Sequence, residues 1–201
     1  MTFRLKLLGP FAIEPPDNVA PVDNLNRKKR AILAYLAATG QTHSRQTLAE
    51  WFCSDAKDQT GTLRWHLSQI RRKVSPDVLE VTPTTAVINP AVIQCDHHQF
   101  EAAIANLAEL AIEDLVTAVA LYRGPFLAGL TLKNAPEFEL WQVGQRSRHQ
   151  RLYEKGAAAL VLRHIRQNSY DDAIAVSQKL LQSNPPLDTV HSNLMWLYAQ
   201  T

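Results

Sequence analysis

Residues 58–74 (DQTGTLRWHLSQIRRKV) constrain the fold of this chain most, because they predict a helix with two different faces. Four apolar residues recur at spacings of four, three and four and so share a face that can be buried: Leu63, Leu67, Ile70 and Val74. The outer positions hold side chains able to contact phosphate, base edges or apolar sugar surface: Thr62, Arg64, Trp65, Ser68, Arg71 and Arg72. The pattern is typical of a helix that recognises DNA; a basic face that is only solvated is the alternative.

Length and composition limit the classes of protein that need to be considered. The chain has 201 residues, of which 46% are hydrophobic, enough for one good core or two small ones. No apolar run reaches the length of a membrane span, and the N-terminus carries charges inside its apolar run, unlike a signal peptide. Cys53 and Cys95 lie too far apart for a metal knuckle or a redox pair. We expect a cytoplasmic protein with no membrane partner.

The net charge of +2 is unevenly distributed along the chain. Residues 1–95 hold 12 Lys and Arg against 8 Asp and Glu, whereas residues 96–201 hold 9 against 11. A basic front half followed by a mildly acidic back half favours a nucleic-acid-binding domain joined to a domain of another kind.

The first 40 residues predict a small antiparallel sheet and then a helix. Apolar residues alternate with Arg4 and Lys6 before the turn residues that follow. Asn26 can cap the helix and Gly40 can end it. The first turn of this helix carries four consecutive cations, at residues 27–30. Two explanations stay open: the side chains extend into water, or they face phosphate or an acidic partner.

A second helix and a β-hairpin are predicted in addition to the elements above. A second helix is predicted to begin at Ser44, with Ser44 as its N-cap and Arg45 able to contact phosphate near the unpaired amides. After the helix of residues 58–74, residues 78–88 predict two strands joined by a short turn. A sheet, three helices and a hairpin is the order of a winged helix, in which the hairpin is the wing.

The chain is predicted to be helical from residue 96 onward. Asp96 and Gln99 resemble a capping box, and we interpret His97 and His98 as surface residues of the first turn rather than metal ligands. Helices are expected at 115–121, at 137–167 and in a pair after residue 170. Their spacing matches helical hairpin repeats of the tetratricopeptide type.

An enzyme is not expected. The chain has no Gly-rich phosphate loop, no paired-histidine zinc helix and no nucleophile elbow, so we predict no catalytic residues, no metal and no cofactor. His66 is interpreted as a packed or hydrogen-bonded histidine beside the core.

Several segments resemble one bacterial regulator family. LKLLGPF, NRKKRAILAYLA and TLRWHLSQIRRKV resemble the OmpR/PhoB-type winged helix of the antibiotic regulatory protein (SARP) family. DHHQFEAAI, LYRGPFLAGL and the helical segments after them resemble its bacterial transcriptional activator domain. The resemblance covers essentially the whole chain, and LLGPF, IRRKV and YRGPFL are its most specific parts. It implies a mostly α fold with small β elements: a winged helix at 1–94 and an all-α, tetratricopeptide-like domain at 95–201.

The resemblance also implies a function and a site. Members bind direct repeats near promoters, recruit RNA polymerase and make dimer contacts through the helical half. Double-stranded DNA would contact the outer face of residues 58–74 at Thr62, Arg64, Trp65, Ser68, Arg71 and Arg72, and the wing tip at Pro83, Thr84 and Thr85. The wing has no Lys or Arg, so we expect it to contribute little to affinity. Trp65 is bulky for this face, and packing against protein is its alternative role.

Two alternatives stay open at this point. The chain could be a protein-interaction scaffold whose winged helix docks protein instead of DNA.

Thr201 falls within or just after the first helix of a repeat. We therefore expect either a piece of a longer regulator or a surface near Leu194 and Leu197 that meets a partner.

Overall fold

The computed structural model describes residues 2–22, 25–183, 194–195 and 197–198. In this part the chain is mostly helical with three small sheets, as the sequence predicts. The helices are α1 (Arg27–Thr39), α2 (Arg45–Phe52), α3 (Gln59–Lys73), α4 (Asp96–Ala105), α5 (Ile112–Ala120), α6 (Pro136–Arg166) and α7 (Tyr170–Ser183). The strands are β1 (Phe3–Lys6), β2 (Gly9–Pro10), β3 (Ala12–Glu14), β4 (His43–Ser44), β5 (Leu79–Val81), β6 (Thr85–Ile88), β7 (Ile93–Cys95) and β8 (Phe126–Ala128).

The N-terminal sheet contains the predicted antiparallel pair and one strand from much later in the chain. β1 pairs with β3 in the register Leu5 to Ile13, and Lys6 forms an ion pair with Glu14. β7 lies parallel to β1 on its other side, with Leu5 opposite Cys95. A three-residue strand has too little periodicity to be recognised from sequence, so this pairing was not predicted.

The ends predicted for α1 are confirmed. The side-chain oxygen of Asn26 accepts a hydrogen bond from the amide of Lys29 at 3.1 Å, and Gly40 ends the helix with φ of 61°. Two of the four cations in the first turn have partners inside the protein. Lys28 pairs with Asp55 at 2.8 Å, and Lys29 is buried with its ammonium 4.4 Å from the centre of the Trp65 ring. These two side chains therefore neither extend into water nor face phosphate or an acidic partner molecule, the two explanations offered from sequence.

α2 begins where the sequence predicts, but Ser44 does not cap it. The Ser44 side chain makes no capping hydrogen bond. Ser44 and His43 instead form β4, which pairs with β6 and completes a sheet of order β4-β6-β5. The β5–β6 pair is the predicted hairpin, with Val81 opposite Ala86.

The start of α4 differs from the prediction. Cys95 occupies the N-cap position without a side-chain cap, and the Asp96 carboxylate accepts hydrogen bonds from the amides of Leu7 at 2.8 Å and Leu8 at 3.1 Å. His97 is only 2% exposed, so interpreting it as a surface residue was wrong; His98 is exposed. Tertiary packing explains the burial of His97, because α4 starts directly after a strand of the sheet and lies against the C-terminal end of α1.

The later helices agree with the sequence pattern. α5, α6 and α7 correspond to the segments expected at 115–121, at 137–167 and after 170. α6 packs against α4, α5 and α7. The second helix of the expected pair falls mostly outside the described residues; of its residues, 194–195 and 197–198 are helical.

The two halves of the chain share a hydrophobic core. Phe52 of α2 packs against Phe138 of α6 with ring centres 5.3 Å apart, and Tyr35 of α1 lies 4.9 Å from the ring of Trp141. One buried cluster extends from Phe3 through these rings into the second half. β2 also pairs with β8, which joins the LLGPF and YRGPFL segments. Division of the chain at residue 94 stays a prediction.

Candidate nucleic-acid interface

α3 is held with one face against the core. Leu63, Leu67 and Ile70 are at most 2% exposed, as their spacing predicts. The Asp58 side chain caps the N-terminus by accepting a hydrogen bond from the Gly61 amide at 2.8 Å. A Cβ at Gly61 would lie 2.1 Å from Asp58 Oδ2, so a larger residue here would displace the Asp58 carboxylate from its capping position.

The exposed side of α3 forms one wall of a basic cleft. Arg64, Ser68, Arg71 and Arg72 follow a spacing that places them on one helix face, and all four are exposed. They line an open cleft of about 550 Å³ whose opposite wall is the β5–β6 hairpin. The hairpin contributes Val81, Thr82 and Pro83, and Arg45 lies at the junction. No aspartate or glutamate lines this cleft within the described part of the chain.

The tip of the hairpin is organised by Thr82. Its hydroxyl oxygen accepts hydrogen bonds from the amides of Thr84 at 3.2 Å and Thr85 at 2.9 Å. The Thr85 hydroxyl lies 2.7 Å from that of Thr82, so it already has a partner. Pro83 and Thr84 are exposed at the tip and Thr85 is half-buried. The tip is thus a rigid, uncharged projection next to the arginines of α3.

Arg45 supports the hairpin from behind. Its backbone amide donates to Thr84 O at 2.8 Å, so this amide of α2 is not unpaired as the sequence suggested. Its Nη1 donates to Thr82 O at 3.0 Å and Pro83 O at 3.2 Å. The residue is only 9% exposed, yet it reaches the cleft. Arg45 therefore gives positive charge to a wing that has no cation of its own.

The arginines of α3 are held loosely by local hydrogen bonds. Arg71 Nε donates to Pro76 O at 2.8 Å, and Arg72 Nη2 donates to Gln69 Oε1 at 2.8 Å. Both bonds are exposed to solvent, where neutral partners contribute little. The guanidinium groups are therefore oriented but still free to exchange these partners for a phosphate or a base edge.

Thr62 and Trp65 lie beside the cleft and do not line it. Trp65 is 51% exposed, and the other part of its ring lies beneath the Lys29 ammonium. Burial lowers the pKa of Lys29, and the nearby charges of Lys73 and Arg72 lower it further. Trp65 is thus packed against a protein cation on one side and open to a ligand on the other. Its position is compatible both with packing against protein and with contacting DNA. Thr62 is half-buried.

Comparison with known proteins assigns the second half of the chain to a family. A search with the whole chain matches no curated protein. The sequence profile described as "Bacterial transcriptional activator domain" matches residues 94–201. The chain belongs to the bacterial transcriptional activator domain family. This family is one of transcriptional regulators, not of enzymes, and the resemblance to SARP-type regulators is confirmed.

One solved structure has a fold similar to that of this chain. The structure of "Mycobacterium tuberculosis EmbR in complex with low affinity phosphopeptide" matches with a TM-score of 0.66 and 20% sequence identity. The match covers 99% of this chain and 54% of that chain, so this family member spans about half the length of EmbR. At this identity the likeness concerns the fold.

His66 of α3 is packed inside the protein. His66 is buried, as the sequence indicated, and burial together with Lys29 and Lys28 lowers its pKa to about 4.

The described residues contain no group of three His, Cys, Asp or Glu able to hold a metal. Over the same residues, none of the helices has the length and apolarity to cross a membrane.

Sequence reasoning missed two residues of the site. Thr82 was not singled out, although a threonine before Pro-Thr-Thr is a signal for a side-chain-to-backbone turn. Lys29 was recognised only as one of four cations, because no local pattern connects it with Trp65. The contact between these two residues depends on how α1 packs against α3.

Proposed function

We propose that this chain is a DNA-binding transcriptional activator that acts in the cytoplasm. In this proposal residues 1–94 are a winged helix, with α3 in the major groove and the β5–β6 hairpin as the wing. Residues 95–201 are a tetratricopeptide-like activator domain. The observation that carries the proposal is the cleft between α3 and the hairpin, which is lined by Arg45, Arg64, Arg71 and Arg72 without a carboxylate among the described residues.

The residues would divide the work between affinity and sequence recognition. Arginines that neutralise phosphates supply affinity for any duplex and position the protein, whereas arginines that reach guanine edges supply specificity. Arg64 and Ser68, which project from the middle of α3, are proposed to read base edges. Arg71 and Arg72 at the end of α3 are proposed to bind phosphate. Thr84 and Thr85 would touch the backbone or minor groove, and Thr62 and Trp65 the sugar surface beside the cleft.

Alanine variants test this division. We expect Arg64→Ala to weaken promoter binding by about 1–3 kcal/mol and to relax the preference at one base position. Arg72→Ala should weaken binding to every duplex and reduce the dependence of affinity on salt by about one phosphate contact. Arg151→Ala removes an exposed arginine of α6 outside the cleft and serves as the control. Unchanged promoter affinity in both cleft variants would refute the proposed interface.

A cross-linking experiment tests which face of the protein meets DNA. Cys53 and Cys95 are buried, and burial raises the pKa of both thiols, to about 12 for Cys95. An introduced Ser68→Cys can therefore be labelled selectively with a photoactivatable reagent. We expect it to cross-link to promoter DNA, and Ser147→Cys on the exposed face of α6 to remain unlinked. Efficient cross-linking from Ser147→Cys alone would overturn the proposed orientation.

A protein partner is proposed for the second half. Leu140 and Val143 lie one helical turn apart on α6 and are 76% and 55% exposed. Exposed apolar residues on one helix face favour a protein contact. We propose RNA polymerase or a second protomer on a direct repeat as the partner. Leu140→Glu should then abolish activation of transcription while leaving promoter affinity unchanged; loss of both, or of neither, would contradict this assignment.

A further inference from the structure

A second cavity lies in the activator domain, away from the basic cleft. It is a partly open cavity of about 670 Å³, lined by α5, α6 and α7 together with the Tyr122–Pro125 segment. Small organic ligands occupy pockets of about 300–1,000 Å³ with mostly apolar walls. The walls of this cavity include Val119, Leu160 and Val176. Its size and lining thus fit a small molecule better than a protein segment.

Two stacked tyrosines line the cavity, and the buried Tyr153 supports the half-buried Tyr122. The rings of Tyr122 and Tyr153 are stacked with centres 4.3 Å apart and planes 17° apart. The Tyr122 hydroxyl donates a hydrogen bond to Gln150 Oε1, and the Gln150 amide nitrogen donates to Glu154 at 3.0 Å. Burial raises the pKa of both phenols, so they stay neutral at physiological pH. A stacked pair held in this way offers an aromatic surface whose conformation is already set before binding.

The charge in the cavity is positive. Arg123 and Lys179 line it, and no aspartate or glutamate does so among the residues that the structure describes. Arg123 is ion-paired with Asp96 at 3.1 Å, and its side chain is still 35% exposed. A planar guanidinium can hold one carboxylate and present its remaining N–H groups to a second anion. Lys179 is exposed on α7.

We propose that this cavity is a binding site for a small amphipathic anion with an aromatic or aliphatic body and one carboxylate or sulfonate group. The body would lie against the Tyr122 ring, which Tyr153 supports by stacking, and against the valine and leucine walls. The acid group would lie between Arg123 and Lys179. The proposal is independent of DNA binding by α3, because none of the residues that carry it lines the basic cleft.

Anilinonaphthalene sulfonate, an aromatic anion whose fluorescence rises in apolar sites, is a suitable probe for the test. We expect the full chain to bind it saturably at one site, measured by fluorescence titration and calorimetry. Lys179→Glu should weaken binding about tenfold, because a hydrogen bond to a charged group is replaced by repulsion. Val116→Trp should abolish binding by filling the cavity, since Val116 lines it and is 43% exposed.

Matched controls distinguish binding at this site from nonspecific binding of the probe. Lys155→Glu makes the same charge change at an exposed position of α6, and Thr117→Trp makes a similar volume change at an exposed position of α5; neither residue lines the cavity. Both should bind the probe as the unchanged protein does, with circular dichroism confirming that all four variants are folded. Absence of saturable binding, or equal loss in the cavity variants and their controls, would overturn the proposal. Undiminished binding to Lys179→Glu would overturn the requirement for an anion.

Discussion

The carboxylate of Asp96 joins three separate segments of the chain. It accepts hydrogen bonds from the amides of Leu7 and Leu8 and from the guanidinium of Arg123, and its side chain is 7% exposed. Asp96→Asn would remove the charge and one acceptor while leaving the amides buried. We expect it to lower the free energy of unfolding by about 2–4 kcal/mol. Urea denaturation measures this loss.

Asp114→Asn is the control for that measurement, because Asp114 is an exposed carboxylate in the first turn of α5. Its effect should stay within about 0.5 kcal/mol. Equal effects of the two substitutions would show that the contacts of Asp96 add nothing to stability.

His97 makes stability depend on pH. Burial, and then the neighbouring His98, lowers the pKa of His97 from 6.5 to about 3. Between these pH values the unfolded chain binds a proton that the folded protein does not, so stability falls as pH falls from 6.5 toward 3. His97→Gln should reduce the slope of unfolding free energy against pH by up to about 1.4 kcal/mol per pH unit in this window.

Unfolding by urea at a series of pH values tests this expectation. Above pH 7, where His97 is neutral in both states, the profiles of the two proteins should run parallel. The pKa of Glu101 is lowered mainly by His149, whose Nε2 lies 3.1 Å from the carboxylate, and this adds an acid-dependent loss of stability to both proteins. An unchanged slope between pH 4 and 6 in His97→Gln would contradict the assignment.

Individual residues were predictable from sequence only where their partners are local. Asn26 and Gly40 act through bonds within the same helix, so their roles could be derived from neighbouring residues. Asp96 was predicted to cap its own helix, but its partners are 88 and 89 residues away. Arg45 was predicted to contact phosphate, and the hairpin carbonyls that hold it are 37 and 38 residues away.

At the scale of elements, the glycines of two helices give different predictions. Alanine favours a helix over glycine, but a Cβ at Gly61 of α3 would displace the Asp58 cap, so the loss of the cap should offset the gain and Gly61→Ala should change stability by less than about 0.5 kcal/mol. A Cβ at Gly144 of α6 would meet nothing within 4 Å. Gly144→Ala should therefore stabilise the protein by about 0.5–1 kcal/mol. Stabilisation of similar size by both substitutions, measured by thermal unfolding, would show that the cap is absent.

The helices were easier to predict than the strands, for a physical reason. α3, α6 and α7 contain many turns of periodic apolar residues, and their positions agree with the sequence pattern. β2, β4, β7 and β8 have two or three residues each, and their pairing is decided by distant segments. The predicted exposed face of α3 follows from its period, whereas the cleft beside it depends on β4 and Arg45, which fix the hairpin.

At the scale of the whole molecule, the shared core couples the two halves. Phe52 and Tyr35 pack against Phe138 and Trp141, and β2 pairs with β8. An isolated piece of residues 1–94 would expose these rings to water. We expect it to unfold at a clearly lower urea concentration than the full chain, when followed by circular dichroism. Equal midpoints would mean that the halves fold independently.

The central claim is that the cleft between α3 and the hairpin binds specific duplex DNA. Binding of the full chain to the promoter upstream of its own gene, in competition with unrelated duplex and at several salt concentrations, tests it most directly. We expect promoter binding to survive excess competitor, and affinity to fall with salt by a slope of about 0.9 per phosphate contacted. Binding that is equally weak for every duplex and disappears with rising salt would contradict the claim.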